Sequence, residues 1–446
     1  MSGDGEPNAV VAQWLRLWRA FDGLARDTLW SGAHDFLHLI TAFSSFYLLQ
    51  RSLAVEEYGA YIGLYGLLGA FGAMSFSGPG LALLQRLMGE GDEPDEAFRS
   101  FLSLSLLAGA VVAVIAAPLA MVTLELTTVE ILLIVGTEIL AVTVVFLASI
   151  AVQARSGFPA AIRVNMAVIP MRLGTLLFLF ATDSLTIRNL AAGYGLCFTL
   201  YGVYLWRVHL PRHGYRASLG RPSMLSLRAS GMFSAPMGAS KLQTDGDKYL
   251  LNAFRHGVDA GLYGAAYRMV LLGTMPLLAL ETAAFQRFLP QGDGERGLHL
   301  RRAVRLSAMM LVASVVVAVG IYITLPLFDF LFAEEFKEAM DIVPWLLFLV
   351  PLVSTSGTPL NGLLGLGLPK VRMWIYIASA VISLALYAAL IPAYSWRGAL
   401  IGTLVSEVVL SIVGWAALWY YQKRADEQGP AGGDDAEDLA EATSPV

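Results

Sequence analysis

Gly59-Ala60-Tyr61-Ile62-Gly63-Leu64-Tyr65 and Gly261-Leu262-Tyr263-Gly264-Ala265-Ala266-Tyr267 both read G-x-Y-x-x-x-Y, about two hundred residues apart. Each opens an apolar run of helix length, and each follows acidic residues, Glu56 and Glu57 in the first copy and Asp259 in the second. A second pair has a similar spacing. Gly157, Pro159 and Arg163 form a G-x-P turn followed by arginine, and Gly367, Pro369 and Arg372 form another. Duplication inside a helical membrane protein is a common way to build a carrier, with the path lying between the halves. The pattern points to carriage rather than chemistry.

Composition sets the solvent. Of the 446 residues, 56% are hydrophobic and only 15% charged, with a mean hydropathy of +0.62. The apolar residues gather into runs long enough to cross a bilayer, so the chain is expected to be an all-α polytopic membrane protein. The net charge of -5 owes much to the stretch from Asp426 to Glu441, too rich in Gly, Ala, Asp and Glu to build a core. A single cysteine, Cys197, excludes an internal disulfide framework and a thiolate metal site. No secretory signal is expected before the first span. Instead Trp14, Trp18, Phe21 and Ala25 recur at helical spacing with Arg16, Arg19 and Arg26 on other faces, which suits either a helix in the headgroup layer or a solvated lead-in.

Windows of about twenty residues place spans near 31–50, 60–78, 101–122, 129–152, 164–182, 189–206, 230–252, 262–283, 304–325, 342–362, 373–392 and 398–420. This predicts an interfacial amino terminus (1–30), a first lobe (31–206), an Arg-rich linker (207–229), a second lobe (230–422) and an acidic, disordered tail (423–446). Assigning loops alternately to two sides puts Arg86, Arg99, Arg155, Arg163, the basic residues from Arg207 to Arg228, those from Arg287 to Arg305, and Lys370, Arg372, Lys423 and Arg424 together with the amino terminus. The opposite loops hold little more than Arg51, Arg188, Arg255, Lys337 and Arg397. Positive-inside bias then puts both termini in the cytoplasm. The seventh span is interrupted by Lys241, Gln243, Thr244, Asp245, Asp247 and Lys248, yet it must cross if the basic loops on either side are to share a face. A polar span is tolerable only where it faces protein or water, so this helix is expected to line a cavity.

Intramembrane charge singles out candidate site residues, because each costs a few kcal/mol or more to bury in hydrocarbon. Arg172, Lys241, Glu138 and Glu407 fall nearest the middle of their spans, and Arg268 sits nearer the outer face. Arg172, Lys241, Asp245, Lys248 and Arg268 are the expected substrate-binding group, the cations suited to a phosphate or pyrophosphate head. Lys241 with Asp245, and Asp245 with Lys248, can instead neutralise one another along one helix face. Glu138, Glu407 and Asp247 can bind a coupling cation or balance the cations. His34, Asp35 and His38 read either as interfacial anchors or as an incomplete metal site. Ser354, Thr355, Ser356, Thr358 and Asn361 can bond sugar hydroxyls, the helix backbone or neighbouring spans. No nucleophile–base pairing, phosphate loop or metal signature is present. No catalytic residue, cofactor, metal or nucleic-acid partner is therefore expected.

The run from Arg51 to Gly59, the apolar stretch to Phe76 and the segment Gly80 to Arg86 resemble the first two helices of bacterial polysaccharide-type flippases. These belong to the multidrug, oligosaccharidyl-lipid and polysaccharide exporter superfamily. Asp247 to Leu251 leading into Gly261 to Tyr267 is similar to their seventh and eighth helices, and Gly367 to Pro369 to the turn between their tenth and eleventh. The resemblance covers residues 31–422. It implies about twelve transmembrane helices in two pseudo-symmetric six-helix lobes around a central cleft that opens alternately to either side. It further implies a non-enzymatic flippase of the bacterial cytoplasmic membrane, moving a lipid-linked oligosaccharide of undecaprenyl-phosphate type or a related envelope precursor. Lys241, Lys248 and Arg268 fall in helices that border the cleft in that family. Membrane lipids and the lipid-linked glycan are the implied partners, with glycan-assembly proteins as further candidates. The alternatives are a cation-coupled multidrug exporter of the same fold, which would need a carboxylate deep in the first lobe, and a membrane enzyme of glycan assembly, for which the outward loops are short.

Overall fold

The computed structural model describes His34 and residues 36–89, 93–216, 218–285 and 299–427. The amphipathic amino terminus, Asp35 and the tail beyond residue 427 lie outside the described residues. Among the described residues the chain is mostly helical, with short turns between helices, and has no strand. Twelve helices follow in order: α1 (36–52), α2 (Val55–Met88), α3 (Pro94–Thr123), α4 (Thr128–Ser156), α5 (Phe158–Ala181), α6 (Ile187–Tyr204), α7 (Met224–Ala253), α8 (Gly257–Phe285), α9 (His299–Thr324), α10 (Leu349–Gly365), α11 (369–394) and α12 (396–427). Six of the helical runs are long and apolar enough to cross a bilayer, or seven if Glu334–Leu346 and α10, which meet at 48°, count as one broken span.

Local chemistry sets the helix ends. Thr127 caps α4 by accepting from the Glu130 amide while Glu130 reaches back to the Thr127 amide. Thr186 caps α6 and Ser223 caps α7 in the simpler one-way manner. Between α4 and α5 the chain turns at Gly157 (φ 81°), and between α10 and α11 at Gly367 (φ 78°), the two glycines of the repeated G-x-P motif. A β-carbon is disfavoured at such positive φ, so the repeat is a backbone requirement. The turns that follow one helix later repeat the symmetry in other residues, at Asp183 (φ 51°) between α5 and α6 and at Ser395 (φ 48°) between α11 and α12.

Helix alternation gathers Arg86, Arg155, Arg207, Arg372 and Lys423 at one end of the bundle, called here the basic end. In the first lobe α4 packs on α2, α5 and α6; in the second, α10 packs on α9 and on the α11–α12 pair. The lobes meet chiefly where α2 runs along α7 and α8. The polar α7 is one unbroken helix because its polar residues find protein: Ser226, Ser230, Gln243, Asp247, Lys248 and Asn252 are all buried.

Candidate functional site

The two copies of the opening repeat pack against each other. A β-carbon on Gly59 would press on the Gly257 carbonyl and lie 2.8 Å from the Gly261 nitrogen, and one on Gly261 would press on the Val55 carbonyl. Only hydrogens let the α2 and α8 backbones approach this closely. Asn252 Nδ2 of α7 donates across the same contact to the Gly59 carbonyl at 2.9 Å. Nearby, the segment between α9 and α10 straps over the first lobe. Gln50 donates its amide to the Leu331 carbonyl, and Arg51 Nη2 reaches the Phe330 carbonyl at 3.0 Å. Phe332 packs edge-on against Phe46 with ring centres 5.6 Å apart, and Phe336 against Tyr58 at 5.4 Å. The end of the molecule opposite the basic end is therefore shut.

Toward the basic end the lobes part. A cleft of about 570 Å³ lies between α2 and α7, from Tyr65 and Lys241 at mid-membrane to Leu81 and Phe233, with Glu138 on one side and Arg372 and Tyr376 on the other. Glu138 stands on a π-helical turn of α4, Gly136–Ala141, a local widening that often marks functional positions. Its carboxylate accepts from Tyr65 Oη at 2.9 Å and from Arg172 Nη2 at 2.7 and 2.9 Å. Arg172, on α5, in turn lies 5.1 Å from the centre of the Phe198 ring and 5.5 Å from that of Tyr194. The first lobe's deep carboxylate is thus already spent on an internal guanidinium.

In the second lobe Asp245 is shared by two lysines, Lys248 at 3.2 Å and Lys241 at 3.6 Å. Lys248 also meets Asp247 at 3.1 Å and sits 3.7 Å above the Tyr267 ring, while Tyr263 Oη donates to Asp247 at 2.8 Å. Asp247 is fully buried and Lys248 nearly so, whereas the Lys241 side chain is 55% exposed and lines the cleft. Glu407 is buried elsewhere in the lobe, accepting from Gln243 Nε2 at 2.9 Å and Ser356 Oγ at 2.8 Å.

The structure therefore brings only Lys241 and Glu138 of the sequence-derived set to the cleft wall, with Arg172 directly behind Glu138. Asp247, Lys248 and Glu407 lie within helix packing. Arg268 is two turns beyond Gly261 on α8 and is not among the residues that line the cleft. Arg372 does line it, with its Nε buried and unpartnered and its guanidinium 5.4 Å from the Tyr376 ring. Sequence reasoning used Arg372 as part of a turn motif and as a basic loop residue; its place at the basic start of α11, after a forced glycine break, was the signal available. Thr355 and Ser356 bond back to helix carbonyls, and Ser356 also serves Glu407. His34 and His38 have ring centres 6.1 Å apart, and among the described residues no group of three His, Cys, Asp or Glu is placed to hold a metal.

No protein-family profile matches this chain and no curated protein does. Solved structures do match. The inward-facing conformation of a multidrug resistance MATE family transporter of the MOP superfamily superposes with a TM-score of 0.68 at 15% identity, covering 88% of this chain and 96% of that one. An outward-facing structure of such a transporter gives 0.60 at 15% identity, over 89% and 95%. A MOP superfamily transporter from Pyrococcus furiosus Vc1, described as having a binding pocket of reverse polarity that suggests a different function, gives 0.58 at 14% identity, over 90% and 93%. The chain accordingly has the fold of a multi-pass membrane transporter, with twelve helices in two pseudo-symmetric lobes around a cleft.

Proposed function

We propose that this chain is an alternating-access exporter of amphipathic solutes whose cargo carries negative charge. The solved neighbours support the multidrug-exporter reading better than the lipid-linked oligosaccharide expected from the sequence, because they are multidrug transporters. The observation that supports a negatively charged cargo is local. Among the described residues Glu138 is bridged to Arg172 at 2.7 Å and no unpaired carboxylate lines the cleft, while Arg372 and Lys241, the latter 55% exposed and 3.6 Å from Asp245, present their cationic groups on the opposite wall. A guanidinium and an ammonium beside the aromatic rings of Tyr65, Phe76, Phe233 and Tyr376 suit an anion joined to an apolar body. Lipid-linked oligosaccharide is the second reading, favoured by that same pair of cations.

A solute entering from the basic end sheds water between α2 and α7, where the lower dielectric strengthens its contact with the two cations. Export then requires the basic end to close and the contact at Gly59 and Gly261 to open. The shut end is held by backbone approach, by side-chain hydrogen bonds from Asn252, Gln50 and Arg51 to carbonyls and by two aromatic edges, which can separate without breaking a buried ion pair. The test is uptake by vesicles containing the purified chain, offered either a fluorescent polyprenyl-diphosphate sugar or a lipophilic cationic dye. We expect the anionic probe to move and the Lys241→Gln/Arg372→Gln pair to slow it at least tenfold, about 1.4 kcal/mol in the barrier. Movement of the dye alone, unaffected by that pair, would assign the cleft to cationic cargo.

A further inference from the structure

We propose that the first lobe carries a binding site for an anionic phospholipid, separate from the transport cleft, with one lipid chain in a groove between α4 and α6 and the phosphate at Arg207. The groove has a volume of about 920 Å³ and an almost wholly apolar lining. Its lining lacks side chains at three places, Gly136 on the π turn of α4 and Gly195 and Gly202 on α6, and a β-carbon on Gly136 would meet nothing within 4 Å. Along α6 and the π turn that continues it, Leu205–His209, it extends from Ala192 to Arg207, roughly 22 Å at about 1.5 Å per residue. That is most of the hydrocarbon thickness of a bilayer, about 30 Å. An extended hydrocarbon chain fits such a shape, and a compact solute does not.

The two ends of the groove differ. Leu132, toward the far end, is apolar and exposed, while the basic end closes on Trp206 and Arg207. Arg207 is exposed, and neither its guanidinium nor the Trp206 indole has a hydrogen bond or ion pair within the described residues. Tryptophan and arginine one after the other at a helix end are the anchors expected at headgroup depth. Unpaired donors at the mouth of an apolar groove select for a phosphate that carries a chain. A phosphatidylglycerol-type lipid in the leaflet at the basic end meets both demands, and a zwitterionic lipid meets only the apolar one. The assignment does not depend on which cargo the cleft moves.

Native mass spectrometry of the full chain, purified in detergent and titrated separately with phosphatidylglycerol and phosphatidylcholine of the same long chains, reads the site directly. The parent should retain phosphatidylglycerol several-fold better. Arg207→Gln should bring the two lipids to equal retention. Gly136→Phe should lower retention of both several-fold while leaving the thermal midpoint unchanged or raised, since it fills open space and replaces a helix-interior glycine. Equal retention of both lipids by the parent, a headgroup preference that survives Arg207→Gln, or full retention by Gly136→Phe would each overturn the site.

Discussion

In the first copy of the repeat, Tyr65 donates to Glu138, a carboxylate on another helix that is bridged to Arg172 on a third. In the second copy, Tyr263 donates to Asp247, whose cationic partner Lys248 is the next residue of the same helix. One cluster ties α2, α4 and α5 together and touches the cleft; the other carries its charges on α7 alone and reaches the cleft only through Lys241. The last tyrosine of one copy and the first of the other thus hold the carboxylates, while Tyr267, the counterpart of Tyr65, lies under Lys248 at 3.7 Å. Charges spread over several helices change their spacing whenever those helices shift, so the first cluster is placed to sense conformation. Charges on one helix travel with it, so the second can hold its shape through a transport cycle.

This contrast predicts where damage appears. Asp247→Ala leaves Lys248 with one carboxylate instead of two in a fully buried setting and should cost about 3–5 kcal/mol of stability, the usual price of breaking a buried pair. Its thermal midpoint in detergent should fall furthest of all variants considered. Glu138→Gln removes a pair whose arginine side chain keeps 30% exposure beside the cleft, so the midpoint should fall less while transport in vesicles falls more. Equal loss of stability in the two variants, with transport following stability, would erase the distinction between a sensing and a structural cluster.

A smaller effect is expected where the two copies touch. Gly59→Leu sets a side chain against Gly257 and Gly261 and should wedge the shut end apart while the rest of each lobe stays folded. Spin labels on Ala54 and Val258, both exposed at that end, should then move to longer separations than in the parent. Unchanged separations in a folded protein would mean that this contact does not hold the end closed.

The sequence made the duplication visible because glycine is forced wherever φ is positive or two backbones meet, and both conditions fall at corresponding places in the halves. It also placed α7 across the bundle despite its polarity, since charge bias and the repeat agreed where hydropathy did not. The pairings were out of reach. Nothing in the spacing links Glu138 to Arg172, which are 34 residues apart and on different helices, or Glu407 to Gln243 and Ser356. Those contacts depend on helix rotation and crossing, which periodicity along one chain does not specify. Arg268 shows the cost: its charge within a span and its place on α8 suggested a cleft residue, but two turns from Gly261 it does not line the cleft. Arg372 is the reverse case, shallow by sequence and brought to the cleft by where α11 begins.

The smallest expected effects come from the second repeated motif, where the halves differ in a way only the backbone reveals. Gly367 ends α10: the Leu368 amide bonds the Leu363 carbonyl at 3.0 Å and the Gly367 amide bonds the Leu364 carbonyl at 3.0 Å, a left-handed helix stop. Gly157 instead begins α5, with φ 81° and ψ 172°, its carbonyl accepting from the Ala160 amide at 3.2 Å. Asparagine tolerates the left-handed helical region but not the extended positive-φ region, which is nearly reserved for glycine and costs other residues about 1–3 kcal/mol. Gly367→Asn should therefore lower the thermal midpoint little, and Gly157→Asn clearly more, although the two sites share the same G-x-P pattern. Matching losses at both sites would mean that the motif works through its proline alone and that the two turns are equivalent.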